Sequence, residues 1–235
     1  MTDASRQSAA EPPAGHSAFK SKVIALDGPA ASGKGTLARR LARAYRFAYL
    51  DTGVLYRGVA WSMMRDAADP ADADAAARYA RDFDIDRIDD KLVRTREVGA
   101  AASRVAAIPA VRAALLDYQR AYAARPPGGL EGAVLDGRDI GTVVCPDACV
   151  KFFVTASPET RAHRRWLELR CDRPDLGEDE VLRDLKERDA RDAARADAPM
   201  KPAVDAELLD TTHLSIDAVE AAARRIIDDI FRRCV

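Results

Sequence analysis

The sequence predicts an α/β protein wound around a parallel sheet, and three observations carry that expectation. Short apolar runs rich in β-branched residues end in turn dipeptides, long Ala/Arg/Leu/Glu segments with helical spacing separate them, and the two kinds alternate along the chain. With 235 residues, 48% of them hydrophobic and 32% charged, the chain can bury a substantial core. It is about one and a half times the usual ~150 residues per domain, which favours one core with an inserted lobe.

Residues 1–20 mix Ser, Ala, Pro and Gly without periodicity and are expected to form a flexible N-terminal tail, leaving residues 21–235 as one domain. Val23-Ile24-Ala25-Leu26, ending in Asp27-Gly28-Pro29, reads as a buried parallel strand, with a helix from about Gly33. Ala133-Val134-Leu135 before Asp136-Gly137, and Val150 to Val154 before Thr155-Ala156-Ser157-Pro158, repeat the pattern. Phe47 to Leu50 and Glu207 to Leu209 are weaker strand candidates. Helical periodicity covers residues 109–124, 158–170, 178–196 and 215–233. There is no internal repeat.

Thirty-seven basic and 38 acidic residues leave a net charge of -1, which argues against a dedicated binder of duplex DNA or another polyanion. Any bound anion is expected to be small and held locally. The excess of Arg over Lys suits either a phosphate-handling surface or a coding bias. Cys145, Cys149, Cys171 and Cys234 form no C-x-x-C pair and read as free thiols of a reducing compartment. No 18-residue apolar run and no apolar signal-peptide core stand out, so a cytoplasmic location and no membrane partner are expected.

The sharpest motif is Gly28-Pro29-Ala30-Ala31-Ser32-Gly33-Lys34-Gly35-Thr36, between a strand and a helix. That context is what a P-loop requires: glycines let backbone N–H groups curl around a phosphate, the helix N-terminus adds positive potential, and Lys34 reaches the outer phosphates. The hydroxyl comes one residue later than in the strict pattern, at Thr36. Asp136 ends a strand expected beside the P-loop strand, where its carboxylate can hold the water shell of Mg²⁺ or simply cap the strand end. Arg188, Asp192 and Arg195 are spaced four and three apart, on one helix face that serves either an anion or a solvated ladder of ion pairs.

The Gly-Lys-Gly-Thr ending resembles the nucleoside monophosphate kinases. Asp51-Thr52-Gly53-Val54-Leu55-Tyr56-Arg57, Asp136-Gly137-Arg138-Asp139-Ile140-Gly141-Thr142 and Glu187-Arg188-Asp189-Ala190-Arg191-Asp192 extend the resemblance to the bacterial cytidylate kinases, from about residue 22 to the C-terminus. The resemblance implies a P-loop kinase three-layer sandwich. Its five-stranded parallel sheet would carry an inserted helical monophosphate-binding lobe over residues 57–130 and a short lid over about 161–178. It implies ATP as donor, CMP and dCMP as acceptors, Mg²⁺ as cofactor through Thr36 and Asp136, a monomer, and no nucleic-acid partner.

Carried over residue by residue, Gly28 to Thr36 would bind ATP, and Arg57, Arg138 and Arg195 the acceptor phosphate. Arg188 and Asp192 would contact the ribose. Ser103, Arg112 and Asp139 would read the base, with Thr52 near it. Lys34, Arg138, Arg161 and Arg165 would act on the transferring group; Arg161 and Arg165, four apart, could face the same phosphates, with Arg164 harder to place and Arg170 further along the lid. Many bacterial members carry a strand-bearing insert in the lobe, for which Phe83 to Arg94 leaves little room. His16, His163 and His213 receive no role. The other readings are a kinase of UMP or AMP, a small-molecule kinase of the shikimate kinase type, and a non-catalytic nucleotide switch. The absence of an N-K-x-D motif counts against the switch, and the Asp-Gly-Arg-Asp segment counts against an adenylate kinase.

Overall fold

Five strands, all parallel, lie in the order β2-β3-β1-β4-β5: β1 is Lys22–Asp27, β2 Ala48–Asp51, β3 Gly132–Asp136, β4 Val150–Thr155 and β5 Glu207–Asp210. The structure is a computed structural model and describes residues 22–85, 88–171 and 173–233. The expected tail, His16, Cys234, and Asp86, Arg87 and Asp172 within the lobe and lid segments lie outside the described residues.

Side-chain alternation along β1 sets the three layers. Ile24 and Leu26 face one side with Val134, Phe152 and Val154, where α1 (Lys34–Tyr45) and α9 (Ile216–Arg233) bring Leu37, Leu41, Val219, Ala223 and Ile227. Val23 and Ala25 face the other side with Leu50, Ala133 and Leu135, covered by Ala123 of α6 (Pro109–Ala124) and by a π-helical turn over Ile140–Val144. All three strong strand candidates and both weak ones form. β5 is short and mostly exposed, which is why its apolar signal is faint.

A second apolar cluster joins α2 (Thr52–Arg65), α3 (Ala73–Arg81), α5 (Arg96–Val105) and α6, centred on Leu55, Val59, Met63, Ala76, Val105 and Val111. Between α3 and α5 lies the four-residue α4 (Asp90–Val93), and no strand occurs among the described residues of this lobe. A third cluster packs α7 (Pro158–Leu169) on α8 (Glu178–Ala193) through Ala162, Val181 and Leu185. Helix α8 stops earlier than its periodicity suggests: Ala194 is its C-cap, so Arg195 lies beyond the helix that carries Arg188 and Asp192. No single helix among the described residues is long and apolar enough to cross a membrane.

Candidate active site

The loop after β1 is built from backbone conformations that most residues avoid. Gly28 has φ 142°, and a Cβ there would lie 2.0 Å from the Val154 carbonyl oxygen; Gly33 at φ 88° then starts α1. The first turn of α1 has neither a side-chain cap nor an acidic residue, so its free N–H groups keep their positive potential. Lys34 reaches back across the loop, its Nζ donating to the Pro29 carbonyl at 3.2 Å and lying 3.8 Å from Asp136. Burial pushes the Lys34 ammonium down to about 8 and the Asp136 carboxyl up to about 6, each opposed by the other's charge.

Thr211, just past β5, braces this loop. Its hydroxyl lies 2.9 Å from the Ser32 carbonyl and 3.1 Å from that of Thr155, and it accepts from Arg164 Nη1 at 2.9 Å, while Arg164 Nη2 donates to the Thr211 carbonyl at 2.7 Å. Arg164 therefore supports the loop from behind.

Seven cationic side chains, Lys34, Arg39, Arg57, Arg94, Arg138, Arg165 and Arg188, line the cleft in front of the loop against three carboxylates, Asp51, Asp136 and Glu168. Ala30 to Thr36 form its floor, with Thr36 exposed at the start of α1. Thr36 and Asp136 offer hard oxygen donors, and no group of three or more His, Cys, Asp or Glu ligands occurs among the described residues. Such a donor set fits a Mg²⁺ that keeps most of its water and shares phosphate oxygens, rather than an ion caged by protein.

Beside the cleft, and sharing Gly53, Gly137, Arg138 and Arg188 with it, is a second pocket lined also by Thr52, Tyr56, Ser103, Arg112, Asp139, Asp192 and Arg195. Five segments meet here, four of them beside the segment at the end of α8 that carries Arg188, Asp192 and Arg195. Thr52 opens α2 and donates its hydroxyl to the Asp136 carbonyl at 2.8 Å, Ser103 comes from α5, Arg112 from α6, and Gly137 to Asp139 follow β3. Asp192 is the hub: it is 1% exposed, accepts from Arg138 Nε at 3.1 Å and from Arg195, has Arg188 Nε at 3.8 Å and the Ser103 hydroxyl at 3.4 Å. Arg112, stacked over the Tyr56 ring at 5.8 Å, pairs with Asp139.

Four cations against two carboxylates is a charge surplus. Burial, then Arg138, pushes the Arg188 guanidinium down to about 9, and burial lowers Arg195 as well. Nε of Arg188 and Arg195 and both Nε and Nη1 of Arg112 are buried with no hydrogen-bond partner among the described residues. Unsatisfied buried donors cost free energy, so a pocket that retains several is shaped for an anionic, hydrogen-bonding ligand.

Most of the expected site residues converge on these two adjoining spaces; Gly28 and Pro29 at the start of the loop line neither, and two arginines depart from expectation. Arg57 lines the cleft rather than the second pocket, donating to the Val93 carbonyl at 2.9 Å. Arg161 does not face the phosphate side with Arg165. Four residues of helix separate the pair by a full turn along the axis, and Arg161 is buried behind the loop, with bonds to the carbonyls of Ala156 at 3.0 Å and Ala30 at 3.3 Å and an ion pair to Asp189 at 2.7 Å. The expected lid is pinned at one point by Trp166 Nε1 donating to the Leu176 carbonyl at 2.8 Å.

The family model for cytidylate kinase matches residues 24–229, a span that includes the loop, Asp136 and every residue of the second pocket. The chain belongs to the cytidylate kinase family. It is 60% identical over 205 residues to the cytidylate kinase of Rhodospirillum rubrum, covering 87% of this chain and 96% of that one. Those of Paramagnetospirillum magneticum (56%, 88% of this chain and 98% of that one) and Rhodopseudomonas palustris (54%, 88% and 96%) are similar to it over the same extent. As a member of the cytidylate kinase family, the chain is a nucleoside monophosphate phosphotransferase on an α/β fold.

Several residues around these two spaces received no role from the sequence, although Asp51 and Tyr56 lie within the Asp51 to Arg57 segment. Asp51 and Arg94 pair at 3.2 Å across its rim, Tyr56 underlies Arg112, and Asp27 lies under the Asp-Gly-Arg-Asp segment. Burial pushes the Asp27 carboxyl up to about 7 against the opposing pull of two backbone N–H bonds, from Ile140 at 2.7 Å and Gly141 at 2.8 Å. An Asp at the end of a buried strand was a signal available to sequence reading, though it could not name its partners.

Proposed function

We propose that this kinase moves the γ-phosphoryl group of ATP onto CMP and dCMP across the boundary between the two spaces, with the P-loop cleft holding ATP and the second pocket the acceptor. The observation that carries this reading is the sharing of Arg138 and Arg188 by both spaces, which sets two anion sites edge to edge as in-line transfer requires. Backbone N–H groups of Ala30 to Thr36 cradle the donor phosphates, and Lys34 and Arg165 neutralise charge on the transferring group. Arg138, Arg188 and Arg195 hold the acceptor phosphate and sugar with Asp192, while Arg57 closes the phosphate side. Mg²⁺, held through water by Thr36 and Asp136, would supply further charge neutralisation on the donor phosphates.

An acceptor phosphate monoester is largely ionised at neutral pH, its second pKa being about 6, so no strong general base is needed and alignment does the work. The Arg112–Asp139 pair, with Ser103 and Thr52 around it, gives the base a reader. Cytosine offers an amine donor beside a ring-nitrogen acceptor, which suits a carboxylate and a guanidinium; uracil reverses both and leaves buried groups mismatched. The test is ADP release from Mg-ATP with CMP, dCMP, UMP, AMP, GMP, shikimate and no acceptor in parallel. Turnover confined largely to CMP and dCMP is expected; preference for another acceptor would overturn the pocket assignment, and silence with every acceptor despite ATP binding would overturn the reaction. We extend the proposal to a monomeric, cytoplasmic enzyme in which residues 57–130 act as the monophosphate lobe and 161–178 as the lid.

A further inference from the structure

Asp139 occupies the N-cap position of the turn Ile140–Val144, yet its side chain makes no cap hydrogen bond. An Asp at that position ordinarily accepts from the N–H groups that follow it, since these have no partner inside the turn. Here the Asp139 carboxylate is turned away to pair with Arg112 in the acceptor pocket. The N–H groups of Ile140 and Gly141 are taken instead by a carboxylate from another strand, Asp27 Oδ1 at 2.7 Å and Oδ2 at 2.8 Å. Asp27 is 3% exposed, and it lies outside the linings of both the cleft and the acceptor pocket. A β-ladder bond from Gly137 N to the Leu26 carbonyl at 2.9 Å anchors the other end of the same segment.

We infer that Asp27 is a positioning residue for acceptor recognition: by capping the turn after β3 from β1, it releases the Asp139 carboxylate to read the base and fixes the backbone of Arg138 between the two anion sites. Without it, the Gly141 N–H is left for Asp139 to recapture by swinging back to cap its own turn, which unpairs Arg112. The inference rests on the pocket assignment proposed above. It also gives one strand end two jobs, since the residue after this carboxylate begins the phosphate loop.

The test compares the full-length wild type with Asp27→Ala, Asp27→Asn, Asp139→Asn and the double variant Asp27→Ala/Asp139→Asn, measuring kcat and KM for CMP, UMP and ATP. Asp27→Ala is expected to raise KM for CMP and lower the CMP/UMP ratio of kcat/KM by up to about tenfold, no more than loss of the Asp139 carboxylate itself, with KM for ATP little changed. Asp27→Asn, which keeps one acceptor, should fall between it and wild type, and it carries the test if the alanine variant does not fold. In the double variant the KM for CMP should match that of Asp139→Asn alone, because the two residues act through one contact. Fully additive losses, or unchanged CMP selectivity with a raised KM for ATP, would overturn the inference. A wild type that prefers another acceptor would refute the pocket assignment, and the same cycle read on that acceptor would still decide the role of Asp27.

Discussion

The phosphate loop and the acceptor pocket adjoin each other and share two arginines, but they are made differently. The loop is nine consecutive residues whose anion site is mostly backbone, with Lys34 as its one inward cation. The pocket is mostly side chain, drawn from α2, α5, α6, the turn after β3 and the end of α8, and its members hold one another in place through Asp192 and Asp139. A backbone site tolerates change at most of its side chains and fails where the backbone cannot follow. A side-chain network fails wherever one partner is removed, because what remains is a buried charge without a counterpart.

The largest effect that follows is at the hub. Asp192→Ala leaves Arg138, Arg188 and Arg195 facing one another, and a loss of about 3–5 kcal/mol in stability is expected in denaturant unfolding, with stabilisation by added CMP reduced. A loss under about 1 kcal/mol, the range of a surface pair, would mean that the pocket is solvated and the contrast false. Next comes Lys34→Ala, which should slow transfer by roughly 10²–10³, as removal of a preorganised charge stabiliser does, while CMP binding measured by calorimetry stays intact. Equal damage to both would show that the two sites are not separable.

Asp139→Asn should be smaller still, lowering the CMP/UMP preference by about tenfold, or ~1.4 kcal/mol, with little change in ATP affinity. The smallest effect is in protons. Because burial holds the Lys34 ammonium down at about 8 in the unliganded chain, a bound triphosphate raises it, and ATP binding at pH 8 should take up protons. That uptake is read from the buffer dependence of the binding enthalpy, and Lys34→Met should remove it. The same shift makes the unliganded fold lose stability as pH falls from 10.5 through about 8, since the unfolded chain binds that proton first.

The two regions also differ in how far they are legible in the sequence. The loop is written in one stretch between a strand and a helix, so its geometry follows from local rules, as do the apolar runs that become the sheet. The pocket could be suspected only because several segments together resemble a family: Ser103, Arg138 and Arg195 each look like ordinary surface or packing residues when taken singly. Helical spacing misled at Arg161, where the i, i+4 rule places two arginines near one stripe but says nothing about which neighbour the stripe meets. It also overran at Arg195, because the alanines and charges that follow Ala193 keep helical periodicity with nothing to mark the stop. Asp27 stayed hidden because its partners are main-chain N–H groups more than a hundred residues away, which no side-chain pattern records.

Thr211 joins the carbonyl of Ser32 at a separation of 179 residues, and Arg40 meets Glu220 across 180. A chain emerging from the ribosome therefore carries the phosphate loop from the start but lacks its supports until almost the last turn of synthesis. The central strand cannot be fully paired before β3 and β4 exist, and the loop gains its Thr211 brace only after residue 211 has appeared. The folding order this imposes is the reverse of the reading order: the segment most easily recognised in the sequence is among the last to be completed in space, and truncations near the C-terminus strike at the N-terminal motif.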